Sequence, residues 1–136
     1  MDKLAASEDV LLQPSLLKKH RKTKEWQSAI MLWKQELDFF QKLLDQHSAK
    51  FTSIEDKKRI DHFQNLIIYY KGELLNNFDT KLRLHEKRLA ELTKTVDDLK
   101  AEYNKEHNGL MDELESLNTQ FHKYHGELLE FMEKAV

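Results

Sequence analysis

Residues 24–44, KEWQSAIMLWKQELDFFQKLL, contain both tryptophans of the chain and two of its seven phenylalanines. Alternating steps of four and three residues join the ring and apolar side chains Trp26, Ile30, Trp33, Leu37, Phe40, Leu44, His47 and Phe51. This spacing predicts one helix whose apolar side packs against other helices. We therefore expect Trp26, Trp33 and Phe40, which share one heptad position, to form a core seam and not to contact a foreign ligand.

A second apolar row lies beside the first on the same predicted helix. Its members are Ala29, Leu32, Phe39 and Leu43. Two adjacent rows make an apolar arc that is too wide for one neighbouring helix. The pattern favours contact with at least two other helices, either within a bundle or within a dimer of the chain.

The composition agrees with long helices and excludes several classes of protein. The 136 residues suffice for about one domain, and only three glycines and one proline accompany 34% charged and 40% hydrophobic residues. The absence of cysteine excludes disulfides, thiol nucleophiles and thiolate metal sites, and it fits a cytoplasmic location. No apolar run approaches the roughly 20 residues of a membrane span, and the first residues do not resemble a secretory signal.

The first helix is expected to end near Ala49. The following stretch, FTSIEDKK, offers two N-terminal capping boxes, Thr52 with Glu55 and Ser53 with Asp56. A second seam then begins and includes Ile60, Phe63, Ile67, Tyr70, Leu74, Phe78, Leu82, His85, Leu89 and Leu92. Its consecutive steps of four near Phe78 predict a stutter that loosens the supercoil locally without breaking the helix.

The end of the second helix has two candidate positions. A break near residue 94, at TKTVDD, gives an antiparallel bundle of three long helices, and this all-α fold is the favoured prediction. A break near residue 108, at EHNGL, gives one very long middle helix and an extended antiparallel dimer. A bundle of four helices is a further alternative. The last helix carries a seam of its own, from Leu110 to Phe131 or Met132.

The first 19 residues lack a sustained period and contain Pro14, so they predict a flexible arm before a single bundle domain at 20–136. A basic patch follows, formed by Lys18, Lys19, Arg21, Lys22 and Lys24. Cations are unfavourable at a helix N-terminus, so the helix is expected to begin nearer Thr23 and to leave the patch mobile. Solvation, or pairing with the acidic residues 97–136, is favoured over nucleic-acid binding.

The seven histidines raise the question of a metal site. No acidic residue is followed three positions later by a histidine, which removes the usual di-iron motif. Helices that reverse near residues 51 and 94 would bring His20, His85 and His107 to one end of the bundle as a polar cluster. The favoured interpretation is that His85, on the seam, bonds a neighbouring acid while the other two are solvated. No metal site and no cofactor are predicted.

The segments EW, LWKQELDFFQKLL and DHFQNLIIYYKGEL, all within residues 25–74, resemble a group of short, uncharacterised, all-helical bacterial proteins with no assigned function. The likeness continues more loosely through LHEKRLA and the last helix. It implies a self-contained helical fold in a bacterial cytoplasm. It brings no activity, because the shared patterns are helical seams and not catalytic motifs.

These observations predict a non-enzymatic helical bundle that acts in protein–protein interaction or scaffolding. No set of residues places a nucleophile beside a base and an orienting group. The expected partner is a second copy of the chain, as in a homodimer, or another helical protein. The alternative is a bundle that binds a metal or a small ligand between its helices.

Overall fold

The computed structural model describes residues 14–92 and 97–134. Its elements are helix α1 at Pro14–His47, a 3-10 turn at Ser48–Lys50, helix α2 at Ile54–Tyr69, a π-helical turn at Tyr70–Leu74, helix α3 at Leu75–Glu91 and helix α4 at Asp97–Met132. The described residues contain no β-strand. The chain is an all-α bundle, as predicted, and residues 14–92 and 97–134 contain four helices when α2 and α3 are counted separately.

Contacts divide the chain into two compact units. Unit 1 combines α1 up to Ala29 with the chain from Phe78 to Glu115, and unit 2 combines Ile30–Asn77 with the residues from Ser116 onward. Each unit therefore takes one stretch from α1, one from the α2–α3 helix and one from α4.

Helices α3 and α4 are antiparallel neighbours in unit 1. Along α3, Lys81 pairs with Glu113 of α4 at 2.9 Å, whereas the later residue Arg88 pairs with the earlier residue Glu106. A cluster of four buried residues, Leu16, Leu89, Leu92 and Tyr103, joins all three helical stretches at this unit's end. The predicted antiparallel packing is confirmed here.

Unit 2 shows the same antiparallel order. Lys34 of α1 donates to Asn76 at 2.6 Å, while Asp38, one turn later in α1, pairs with the earlier residue Lys71. Rings from three helical stretches form its core, and Phe63 of α2 lies between rings of α4. Its centroid is 5.7 Å from that of Tyr124 and 5.4 Å from that of Phe131.

The first predicted seam of α1 is confirmed. Its buried members are Trp26, Ile30, Trp33, Leu37, Phe40 and Leu44, and Phe51 is buried beyond the helix. All four helices bury residues at steps of three or four and keep polar faces outside. Consistently, no helix within the described ranges is both long enough and apolar enough to cross a membrane.

The second row on α1 is largely exposed, although α1 contacts two other helical stretches, as predicted. Leu32 is 53% exposed and Phe39 is 55% exposed, while Ala29 and Leu43 are partly buried. The contacts of α1 with its neighbours come from the buried seam, as where Trp33 stacks on Phe121, and from polar residues beside it, as in the Asp38–Lys71 pair. The width of the apolar arc therefore did not indicate how much of it the chain itself covers.

Helix α1 begins earlier than predicted. It starts at Pro14, so residues 14–19 are helical and the basic patch lies on a helix instead of a mobile arm. Proline is favoured at the first helical position, where its missing N–H would have had no partner. Leu16 is buried, and this apolar contact offsets the unfavourable cations nearby. The rest of the predicted arm, residues 1–13, lies outside the described residues.

The first reversal is where the sequence places it. Helix α1 ends at His47, and the 3-10 turn leads to the extended residues before α2. Ser53 caps α2, because its Oγ accepts a hydrogen bond from the Asp56 backbone N–H at 3.1 Å. Of the two predicted capping boxes, the one built on Ser53 therefore supplies the cap.

A π-helical turn takes the place of the predicted stutter. Tyr70 is followed on the buried face by Leu75 and then by Phe78, while Leu74 is only partly buried. From Tyr70 to Phe78, a step of five residues and a step of three replace the two predicted steps of four. Both patterns span the same eight residues. The extra residue is absorbed in a single π turn instead of being spread over a loosened stretch.

The second reversal lies at the favoured position. Helix α3 ends at Glu91 and α4 begins at Asp97, while the predicted cap Thr95 is outside the described residues. Helix α4 continues through Asn108 and Gly109, so the alternative break near residue 108 is not present.

Candidate functional site

The seam aromatics are core residues and do not form an open site. Trp26 is 7% exposed, Trp33 is 8% exposed and Phe40 is fully buried. The indole of Trp33 stacks on Phe121 in unit 2, with centroids 5.3 Å apart. Phe40 meets Tyr124 edge-on at 6.4 Å. These rings pack the helices together, as the sequence predicts.

The basic patch lies along the first turns of α1. Lys18, Arg21, Lys22 and Lys24 are exposed, and Lys19 is partly buried. Lys22 pairs with Glu25 at 3.2 Å on the same helix. Pairing with acidic residues of α4 was one of the two favoured predictions for the patch. Within the described part of the chain, no ion pair joins the patch to those residues.

Two of the three predicted cluster histidines meet inside unit 1. The Nε2 atom of His85 lies 2.9 Å from the Nδ1 atom of His107. On its other side, the Nδ1 atom of His85 lies 2.6 Å from the Oε1 atom of Glu106, whose second oxygen pairs with Arg88. The predicted bond between His85 and an acid is thus present, whereas His107 is buried and not solvated.

The third predicted member, His20, has a separate partner. Its Nδ1 atom lies 2.7 Å from the Oε2 atom of Glu86, and its side chain is about one-third exposed. His20 can therefore form an ion pair that joins α1 to α3 at the edge of the cluster. The sequence predicted a solvated His20, but its side chain is only partly exposed.

The hydrogen-bond chain fixes the tautomers when both imidazoles are neutral. A carboxylate can only accept, so the Nδ1 of His85 carries the hydrogen that Glu106 accepts. The Nε2 of His85 then has a lone pair, and it accepts the hydrogen on the Nδ1 of His107. Burial lowers the pKa of both imidazoles to about 4, and it outweighs the Glu86 carboxylate, which raises the pKa of His85.

Two aromatic rings cover the flat faces of the pair. Tyr103 stacks on His85, with centroids 4.2 Å apart and planes 3° from parallel. Trp26 stacks on His107 at 4.7 Å. Burial is the main cause that raises the pKa of Tyr103, and the charge of Glu86 adds to it. The sequence did not reveal the contact of Tyr103 with His85.

Glu106 and Arg88 are the site residues that sequence reasoning missed. Both are charged residues next to seam positions, where charged side chains are ordinary on a solvated flank. The only available signal was that Glu106 directly precedes His107 in the sequence. A shallow cavity of about 170 Å³ lies beside them, lined by Arg88, Glu91, Leu92, Glu102, Tyr103 and Glu106.

The arrangement joins the His85–His107 pair to the Glu106 carboxylate through successive hydrogen bonds. Within residues 14–92 and 97–134, no group of three or more histidine, aspartate and glutamate side chains is placed to hold a metal ion. The His85–His107 contact is also enclosed by aromatic rings, which leaves no space for a substrate between the two nitrogens.

Comparison with known proteins assigns no family to the chain. No family model matches it, and neither does any curated protein or solved structure. The resemblance to helical bacterial proteins therefore stays a prediction. Function has to be argued from the geometry of the two units.

The most exposed apolar surface of α1 lies in unit 2. We use the name α1 stripe for Leu32, Phe39 and Leu43, which follow each other at steps of seven and four residues. These positions share one side of the helix, beside the buried seam. The stripe is the part of the predicted second row that lies in unit 2, and within it Leu32 and Phe39 are exposed while Leu43 is partly buried.

Proposed function

We propose that this protein is a non-enzymatic, cytoplasmic helical bundle that associates with a second copy of itself through the α1 stripe. The observation that carries the proposal is the exposure of Leu32 and Phe39, each more than half accessible on a helix whose other apolar seam is buried. Large apolar side chains exposed together on one helix face are typical of interaction sites.

The spacing within the α1 stripe indicates a helix as the occupant. Leu32 and Phe39 are one heptad apart, and Leu43 continues the row one turn later. A helix packed on another helix presents side chains with this repeat. A flat or irregular partner would not need it.

The stripe is also suited to pair with itself. In an antiparallel, two-fold arrangement, Leu32 of one copy would meet Phe39 of the other, and the reverse contact would form at the same time. The centre of such a contact falls between Gln35 and Glu36, so the two Glu36 side chains are the only charged groups that approach each other at the two-fold axis. A second copy is therefore the occupant that the surface itself favours.

The test is sedimentation velocity over a wide range of protein concentration. We expect the wild-type chain to shift with concentration from 16.3 kDa toward twice that mass. The double variant Leu32→Glu/Phe39→Glu should weaken the association at least about 30-fold, which corresponds to roughly 2 kcal/mol for a central apolar contact.

The matched control places two glutamates elsewhere on the exposed apolar surface, as Ile68→Glu/Leu84→Glu. Both of these side chains are exposed and neither belongs to the α1 stripe. The control variant should associate like the wild type, and both variants should keep the wild-type helical circular dichroism. A wild-type chain that remains a monomer at every concentration would refute the proposal.

A further inference from the structure

The interior of unit 1 contains an ionisable pair that the proposed association does not use. His85 has no exposed surface and His107 is 5% exposed. Their ring nitrogens are 2.9 Å apart, and no other hydrogen-bonding group lies between them. The α1 stripe lies wholly in unit 2, so this pair and the stripe can be tested separately.

Counting hydrogens shows what the pair can accommodate. In the neutral state, the single hydrogen between His85 and His107 makes one good bond. One added proton can still be shared, because one of the two facing nitrogens remains an acceptor. A second added proton puts a hydrogen on both facing nitrogens, which then repel each other and leave two buried cations in contact.

The stacked rings prevent water from relieving this conflict. Tyr103 and Trp26 cover the imidazole faces, so a doubly protonated pair cannot be hydrated without separating the helices that carry these rings. The two imidazoles lie on α3 and α4, and the covering tryptophan lies on α1. Separation would therefore involve all three helical stretches of unit 1.

Charged groups face the pair from each of these helices. Those near His85 and His107 are Lys19 and His20 on α1, Glu86 and Arg88 on α3, and Glu106 with the phenol of Tyr103 on α4. Lys19 and Arg88 oppose protonation, whereas Glu86 and Glu106 favour it. Since Glu106 is shared with Arg88, its charge is already partly compensated.

We propose that the His85–His107 pair is a proton-sensitive switch: the second proton separates the two rings and opens unit 1 locally, while unit 2 stays closed. The opening would expose the rings of Trp26 and Tyr103 together with the leucine cluster of unit 1. In unit 2, His125 is stacked on Phe40 but remains partly accessible, so unit 2 lacks an equivalent enclosed pair within the described residues.

The direction of the pH effect follows from proton linkage. The pKa of each imidazole is about 4 in the closed unit and about 6.5 once exposed, so the open form binds more protons between these values. The closed form is fully favoured above pH 6.5 and loses this advantage as the pH falls toward 4. With these pKa values, one histidine raises the open population about 30-fold by about pH 5.

The test is hydrogen–deuterium exchange of the full chain at about pH 7 and about pH 5, corrected for the intrinsic pH dependence of exchange. We expect the protection of residues 82–91 and 101–110 to fall by more than about 30-fold, the value for one histidine, and toward about 900-fold, the value for both. Residues 117–128, in unit 2, should change less than about threefold. An equal loss in both units would overturn the proposal.

A matched pair of variants separates the switch from general acid sensitivity. His107→Asn keeps an amide donor near the position of the histidine Nδ1 but cannot take a second proton. It should reduce the pH effect in unit 1 to no more than about 30-fold, the value for His85 alone, while His122→Asn, an exposed position on the same helix, should retain the wild-type effect. A His107→Asn chain that opens as much as the wild type would contradict the proposal. If His107→Asn does not fold, the proposal is tested by the wild-type chain alone, through the fall in protection of unit 1 compared with that of unit 2.

Discussion

The indole of Trp33 packs flat against Phe121 and is nearly inaccessible to water. A buried tryptophan removes a large apolar area from water, and its stacking adds a smaller, geometry-dependent contribution. By contrast, Ile68 on α2 is 66% exposed although it is also large and apolar. The contribution of a residue to stability in this chain therefore depends on its place on the helix and not on its type.

Replacing Trp33 with alanine should lower the free energy of unfolding by about 3 to 5 kcal/mol, because the surrounding helices cannot close the space that the ring leaves. Ile68→Ala, the matched control, should change it by less than about 1 kcal/mol. Urea denaturation followed by circular dichroism measures both. A similar loss in the two variants would show that the Trp33 ring is not enclosed.

At the scale of the element, the π-helical turn at Tyr70–Leu74 connects two stretches of helix that are both in register with the core. Ile67 is buried before it, Tyr70 is buried at its first position, and Leu75 and Phe78 are buried after it. A π turn is equivalent to an α-helix with one inserted residue. The inserted residue can be removed without rotating either flank.

Deletion of Glu73, an exposed residue of the π turn, should therefore convert the turn to regular α-helix and change the free energy of unfolding by less than about 1 kcal/mol. Deletion of Arg83, an exposed residue in the regular part of α3, should instead rotate the following seam by about 100° and cost several kcal/mol. Thermal melts of the two deletions make the comparison. Equal damage from both would mean that the turn is not a removable insertion.

The seams were predictable because their three- and four-residue steps directly reflect the period of a helix, as from Trp26 to Leu44. The burial of Leu75 in place of Leu74 was not predictable. Two steps of four residues span the same eight residues as a step of five followed by a step of three. The exposure of Leu32 was also hidden, because an apolar row has the same spacing whether or not another helix covers it. His85 and His107 were predictable as neighbours from the helix lengths. The contact between Glu106 and His85 was not predictable, because it depends on the direction of the Glu106 side chain.

At the scale of the whole molecule, each unit has its own core made from three helical stretches. Unit 1 encloses polar groups, the imidazole pair and the buried hydroxyl of Thr23, which donates to the Lys19 carbonyl at 2.9 Å. Unit 2 is more aromatic, and its buried Tyr124 hydroxyl donates to the Phe63 carbonyl at 3.0 Å. One tryptophan reports on each unit, Trp26 on unit 1 and Trp33 on unit 2.

The central claim is that one chain buries its own aromatic seam. The most direct test is the fluorescence of Trp26→Phe and Trp33→Phe, each with a single remaining tryptophan, at concentrations too low for association. Both emission spectra should lie well to the blue of the urea-denatured chain, and acrylamide should quench both several-fold less than it quenches the denatured chain. Emission and quenching equal to those of the denatured chain for either tryptophan would contradict the claim.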